Sequence, residues 1–383
     1  MQMRPMKLGG DVLLFGENSL DYLKTMEGKK AFIVLSGDAI EKNGYLAKIV
    51  SLLEEAGMET MSYDKVEPDP TFDTVMEGTK LMLDFTPDWI LGVGGGSAMD
   101  AAKAMWIFYE HPELKSMEDI IPPNVVPKLR KKARMLCIPT SSGTGSEVSR
   151  SIVISDSKTH IKYGVGDMEM MPDIVLLEPG ITASMPKGFT AATGMDALTH
   201  AIEAYTSLRA NEISDILAEK SIIEICKYLP LAYNEGDNLE YREKMLLYSC
   251  VSGMAFTNVS LGLVHGISHA VGGKFGVPHG LANAITLPYL IEFNMQDDVA
   301  KRKYEKLAEI LGVPSLLGKI KELNKIMDIP ETLQEVIKND DEFEASLKEL
   351  SILAKNDGCT KTNPIIPEIE QVEELYRKVY YGR

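Results

Sequence analysis

The chain changes texture once, at the Met185-Pro186 step, and that single change limits what it can fold into. From about residue 10 to 185, short β-rich runs alternate with amphipathic stretches. Residues 31–35 (AFIVL), 59–63, 89–93 (WILGV), 135–138 (MLCI), 152–155 and 174–177 (IVLL) read as strands. Between them, 45–56, 72–85 and 98–108 read as helices. Alternation of this kind specifies a parallel sheet covered by helices on both faces. Beyond residue 185 only helical periodicity remains. It runs over 189–207, 213–229, 240–257, 264–272, 282–293, 298–311 and 316–327, then 331–338, 342–353 and 369–380. Pro230, Pro278, Pro288, Pro314 and Pro367 fall at or near breaks in that pattern. At 383 residues the chain exceeds one ordinary core. The expected fold is therefore α/β plus all-α: an N-terminal parallel-sheet domain over 1–185 and a C-terminal all-helical domain over 186–383.

Charge and cysteine usage narrow the function. Forty basic against 56 acidic residues give a net charge of −16, which disfavours nucleic-acid and anionic-membrane partners. One locally basic run, residues 128–134 (KLRKKAR), reads as a solvated loop leading into a strand. The four cysteines, Cys137, Cys226, Cys250 and Cys359, form no CxxC pair and fit a reducing compartment. No signal-peptide pattern and no apolar run of transmembrane length are present, so a cytoplasmic protein is expected.

Two loops carry a binding signature. Residues 92–100 (GVGGGSAMD) follow a strand and open a helix. Adjacent glycines there, Gly95 and Gly96 among them, let backbone N–H groups approach a pyrophosphate, and the helix N-terminus adds a favourable field. Ser97 can donate a further bond. The run is neither GxGxxG nor a P-loop, because Ser97 replaces the last glycine and no Lys-Ser/Thr ending follows. Residues 139–147 (PTSSGTGSE) form a second such loop after a strand, dense in hydroxyls at Thr140, Ser141 and Thr144. Asp38 follows the first clear strand, where its carboxylate can accept a bond from an adenosine ribose or cap the next helix.

Four of the six histidines lie in two apolar, glycine-rich stretches, GMDALTH and HGISHAVGGKFGVPH. Asp196 stands four residues before His200, and His265 four before His269, so each pair shares a helix face. Three imidazoles and one carboxylate suit Fe(II) or Zn(II), and suit Mg or Ca poorly. Helical spacing alone nominates His269.

The segments GGGSAMDAAK, IPTSSGTGSEVS, GMDALTHAIEAY, GLVHGISHAVGG and PHGLANAI, with CTKTNP at 359–364, resemble the iron-containing (group III) alcohol dehydrogenases. The resemblance spans nearly the whole chain. It implies a dehydroquinate synthase-like fold, with a Rossmann-like dinucleotide-binding domain, an all-helical domain and a divalent metal in the cleft. It assigns the ligands to Asp196, His200, His265 and His279, and leaves His269 near the metal as a catalytic proton carrier. It implies cofactor contacts from Gly95, Gly96, Ser97, Asp100, Thr140, Ser141, Thr144 and Lys162, and places Ser151, Phe256 and Cys359 at the pocket's border. A small alcohol or aldehyde is the implied substrate, and a homodimer or higher homo-oligomer the implied assembly. NAD-using members often carry aspartate after the first strand, where NADP-using members tend to have glycine. Here that position falls on Gly37, with Asp38 one place later, which leans the expectation towards NAD(H) over NADP(H).

The expected function is a metal-dependent, NAD(P)-linked alcohol dehydrogenase or aldehyde reductase. Two rivals share parts of the pattern. A dehydroquinate-synthase-like or glycerol-dehydrogenase-like enzyme has the same fold, although a lyase acting on an anionic substrate needs basic residues that are scarce near the histidines. A non-catalytic nucleotide or metal sensor keeps the loops without turnover. Reduction of a nicotinamide on adding an alcohol separates the dehydrogenase from both the lyase and the sensor.

Overall fold

A computed structural model describes residues 5–157 and 162–382. The chain divides into two compact units, Met1–Ser184 and Met185–Arg383.

Among the described residues, the first unit has the strands β1 (Val12–Phe15), β2 (Lys30–Ser36), β3 (Glu59–Val66), β4 (Trp89–Gly94), β5 (Arg134–Pro139), β6 (Ser151–Ser155), β7 (Lys162–Gly166) and β8 (Ile174–Leu177). Its helices are α1 (Ala39–Lys42), α2 (Tyr45–Glu55), α3 (Phe72–Phe85), α4 (Gly96–Glu110) and α5 (Pro179–Thr182). Six strands pair in the order β1-β8-β5-β4-β2-β3, all parallel. Successive side chains of a strand point to opposite faces. Accordingly Phe32, Val34 and Ile90 join the core under α3 and α4, whereas Ala31, Ile33, Leu35 and Leu91 join the core under α2. Burial on both faces explains why β2 and β4 read as unbroken apolar runs.

Three strands depart from the sequence expectation, β7 among them, which the alternation of the sequence did not indicate. The strand at 152–155 lies outside this sheet, because β6 pairs antiparallel with β7 as a separate two-stranded ribbon. The edge strand β1 escaped notice, being four residues long and only half-buried.

The second unit is helical throughout: α6 (Lys187–Thr206), α7 (Glu212–Asn234), α8 (Leu239–Val259), α9 (Leu263–Phe275), α10 (His279–Asn294), α11 (Asp298–Leu311), α12 (Leu316–Ile326), α13 (Gln334–Ile337), α14 (Asp340–Asn356) and α15 (Ile369–Tyr381). Pro230 and Pro288 do not break it. They sit inside α7 and α10, whose packing against neighbouring helices outweighs the lost backbone bond. Helix α6 is buried continuously from Gly194 to Thr206, so any polar group it carries is held in the core. Among the described residues, no single helix is long and apolar enough to cross a membrane.

The turn from β4 into α4 depends on Gly94. A Cβ there would lie 2.5 Å from the Ala98 Cβ and 3.0 Å from the Ser36 Oγ, with φ at +156°. Gly94→Ala is expected to lower stability by about 1–3 kcal/mol in urea denaturation. An unchanged midpoint and slope would show that the turn relaxes freely.

Candidate active site

In the second unit, three helices bring four ligand atoms to one point. Asp196 and His200 lie one turn apart on α6, His265 lies near the start of α9, and His279 is the first residue of α10. The Nε2 atoms of His200, His265 and His279 stand 3.6, 3.7 and 3.5 Å from Asp196 Oδ1. All four ligand atoms fall within 4.8 Å of one another. Metal–ligand bonds of about 2.1 Å in a tetrahedral array put neighbouring ligand atoms about 3.4 Å apart. The three edges from Asp196 Oδ1 come close to that spacing.

Close helix packing makes this convergence feasible. A Cβ on Gly280 would sit 2.3 Å from the Ala192 carbonyl oxygen, so only glycine lets the first turn of α10 lie against α6 and carry His279 to Asp196. The same helix, α6, supplies the support. Glu203, one turn beyond His200 and 4% exposed, accepts from the Val264 N–H at 2.7 Å and faces His265 Nδ1 at 2.5 Å. A carboxylate on Nδ1 fixes the imidazole tautomer and leaves the Nε2 lone pair for a cation. The imidazole of His200 stacks on that of His265, centroids 4.7 Å apart, and against the Phe256 ring at 4.5 Å.

The residues present fit a cation. The Asn283 amide nitrogen lies 2.7 Å from Asp196 Oδ1, 3.2 Å from His265 Nε2 and 3.1 Å from His279 Nε2. Three acceptors thus converge on a group that has only two protons to give. Burial alone would push the Asp196 carboxyl up, but the imidazoles of His200, His279 and His265 hold it well below the usual carboxylate range. Burial would likewise lower His265, yet Glu203 and Asp196 raise it to about 9. Burial lowers His279 to about 3, which keeps its imidazole neutral and able to ligate, so the donor set fits a divalent ion.

His269 stands apart from this quartet. Its Nδ1 is 2.9 Å from Asp357 Oδ2, and its ring stacks on His279 with centroids 5.2 Å apart. These two histidines form the open side of the cluster, with 38% and 41% of their side chains exposed. Burial raises Asp357, but the His269 contact and the Cys359 N–H bring it down to about 2. His269, Asp357 and Cys359 make a second, smaller group of potential ligands. Farther along CTKTNP, the buried Asn363 accepts from the Leu263 N–H at 3.1 Å and thereby caps α9 from outside.

In the first unit, Gly95 opens α4 with no side-chain cap, so the first-turn N–H groups of Gly96 and Ser97 are left for a ligand. The second loop packs directly against it. The Thr140 N–H donates to the Gly94 carbonyl at 3.0 Å. A Cβ on Gly95 would lie 3.5 Å from Ser141 Oγ, and one on Gly96 would lie 3.2 Å from Thr144 Cγ2. Among the described residues, Ser142 Oγ is buried with no hydrogen-bond partner. Glycines, hydroxyls and helix N-terminus therefore make one surface.

Three expected cofactor residues are engaged elsewhere. Asp100 turns into the unit, where its oxygens accept from Ser146 Oγ at 2.7 Å and the Val153 N–H at 3.0 Å. Lys162 pairs with Asp69 at 2.9 Å. Asp38 stands at the N-cap position of α1 but makes no cap bond; its exposed carboxylate pairs with Lys42, one turn on. Ser151 begins β6.

Comparison with known proteins agrees with this geometry. The family model for iron-containing alcohol dehydrogenase matches residues 11–179, and the model for the C-terminal part of the same family matches 190–380. The chain belongs to the iron-containing alcohol dehydrogenase family. It is an NAD(P)-linked alcohol dehydrogenase acting on alcohols or aldehydes, with the dehydroquinate synthase-like fold. An NADPH-dependent butanol dehydrogenase of Clostridium saccharobutylicum is 44% identical over 97% of this chain and 96% of its own. The iron-containing alcohol dehydrogenase of Thermococcus thioreducens superposes with a TM-score of 0.93 at 33% identity, covering 99% of this chain and all (100%) of that one. A 1,3-propanediol oxidoreductase gives 0.91 at 30% identity, covering 98% of this chain and 100% of that one.

Sequence reasoning left Glu203, Asn283 and Asp357 without a role in the dehydrogenase. For the first two the signal was present: Glu203 follows His200 by three residues and Asn283 follows His279 by four, each on the ligand's own helix face. Asp357 comes from a distant segment and gave none.

Glu203→Gln is expected to weaken metal affinity about 10–100-fold, because the carboxylate orients His265. Metal titration of the stripped protein measures it, and unaltered affinity refutes the role. His265→Ala should lose both ion and activity, whereas His269→Ala should keep the ion and turn over slowly. Equal metal loss in the two histidine variants would return His269 to the ligand set.

Proposed function

We propose that Asp196, His200, His265 and His279 hold the divalent metal of this dehydrogenase, iron by family and zinc by ligand chemistry, and that the two loops of the first unit hold NAD(P)(H). The observation that carries the metal reading is the meeting of four ligand atoms at tetrahedral spacing in a buried helical core. When bound, such an ion acts as a Lewis acid on the substrate oxygen, and the nicotinamide exchanges hydride with the adjoining carbon.

The chain's own residues do the rest. Backbone N–H groups of Gly96 and Ser97, with the hydroxyls of Thr140, Ser141 and Thr144, bind and orient the cofactor. The Phe256 ring, packed on His200, offers an apolar wall that favours a small, uncharged alcohol or aldehyde over an acid. The butanol and propanediol named for similar proteins belong to that class. Asp357 occupies the Nδ1 side of His269, so a proton is held or passed at Nε2.

For the cofactor's adenosine end, the same reading favours NADP(H). Gly37 stands at the end of β2, and a Cβ there would meet nothing within 4 Å, which leaves room for a 2′-phosphate. Asp38 is paired with Lys42 and so presents little net negative charge. The NADPH-dependent relative adds support. Gly37→Asp should lower kcat/KM for NADPH by at least about tenfold and spare NADH, through close-range repulsion of the phosphate. An unchanged cofactor ratio sinks the assignment. The function as a whole is tested by stripping the protein, reloading it anaerobically with Fe(II) or Zn(II), and running a panel of short alcohols and aldehydes. Metal-independent turnover would overturn the reading.

A further inference from the structure

Lys103 lies on α4, one turn after Asp100 and in the apolar run AAKAMWIF, and its side chain is completely buried. A lysine in such a place needs acceptors for its protons. Its Nζ donates to the carbonyl oxygens of Ser146 at 2.7 Å, Ser149 at 2.9 Å and Ser151 at 3.2 Å, and contacts Ser146 Oγ at 3.1 Å. Ser146 Oγ in turn donates to Asp100 Oδ1 at 2.7 Å, and the Ser146 N–H donates to Thr144 Oγ1 at 3.3 Å.

Three carbonyls of one short segment aimed at a single point repel one another unless a cation stands there. Here the cation is part of the helix whose N-terminus is the glycine run. The ammonium therefore ties the segment that follows the second loop to the helix that follows the first.

We propose that Lys103 is a positioning residue for cofactor binding: by gathering the Ser146, Ser149 and Ser151 carbonyls, it sets the loop bearing Thr140, Ser141 and Thr144 against Gly95 and Gly96. Asp100 serves the same end, holding Ser146 and the start of β6. This also explains why Asp100 faces inward and not towards the loop surface. The inference rests on reading the two loops as the NAD(P) site.

The test is NADH and NADPH titration of the metal-replete protein by nicotinamide fluorescence, with metal content and melting temperature measured beside it. Lys103→Met, similar in volume and uncharged, should raise the cofactor Kd at least tenfold while metal content stays at the wild-type level. In steady state the loss should fall on cofactor KM more than on kcat. Lys103→Ala should lose affinity likewise and regain part of it with ethylammonium, but not with sodium at equal ionic strength. A residue that merely fills space would lower the melting temperature, leave Kd in the folded protein unaltered and ignore the amine. Wild-type Kd in Lys103→Met overturns the inference and leaves the loop reading intact. Gly96→Val, which covers the helix N-terminus, tests the reading itself: if it binds cofactor as the wild type does, reading and inference fall together. Should Lys103→Met not fold, Asp100→Asn carries the test, with an expected rise of about threefold and an unchanged Kd as the refuting result.

Discussion

Asp196 and Glu203 put two carboxylates into the most deeply buried helix of the second unit, each 4% exposed. A carboxylate so placed is strongly destabilising unless positive charge and hydrogen bonds surround it. The neighbouring elements answer that demand. Helix α9 starts where its Val264 N–H and His265 can meet Glu203, and Asn363 closes the same helix end. Helix α10 starts with His279 pressed against α6. The four candidate ligands are thus part of the core of their unit, and an ion held there would be a folding component as much as a reagent.

The first unit meets a similar demand by the opposite means. There the acceptors are carbonyl oxygens of an irregular segment, and the cation is the covalently attached ammonium of Lys103. One centre gathers anionic and imidazole side chains that could take up an exchangeable ion; the other carries its cation covalently, on a lysine whose pKa burial lowers. That division suits their tasks, since a reacting centre needs an open position and a binding loop needs one fixed shape.

The architecture was legible because its two halves obey different periodicities, and helices such as 72–85 and 298–311 show clear apolar faces. Helical spacing made Asp196, His200 and His265 legible as candidates but nominated His269 beside them; His279 came from the resemblance. What stayed hidden depended on contacts between distant segments. Asp357 meets His269 across 88 positions, and Lys103 meets Ser149 across 46. Pro230 and Pro288 misled for a related reason, since local propensity yields to burial that no window of sequence contains. The basic run at 128–134 leads into β5 as expected but is less solvated than expected, with Leu129 and Ala133 buried and Arg130 bonded to Glu169 and Asp173.

The sheet order has a bearing on how the protein is made. Strand β1, the first strand of its unit to be synthesised, pairs with β8, the last. The interior strands β2, β4 and β5 can associate as they emerge, but the edge at β8 and β1 has to wait for residues 174–177. During that interval Val12–Phe15 has no partner strand, and its lasting neighbour lies almost a whole domain downstream. Synthesis in chain order therefore finishes this sheet by pairing its earliest strand with its latest.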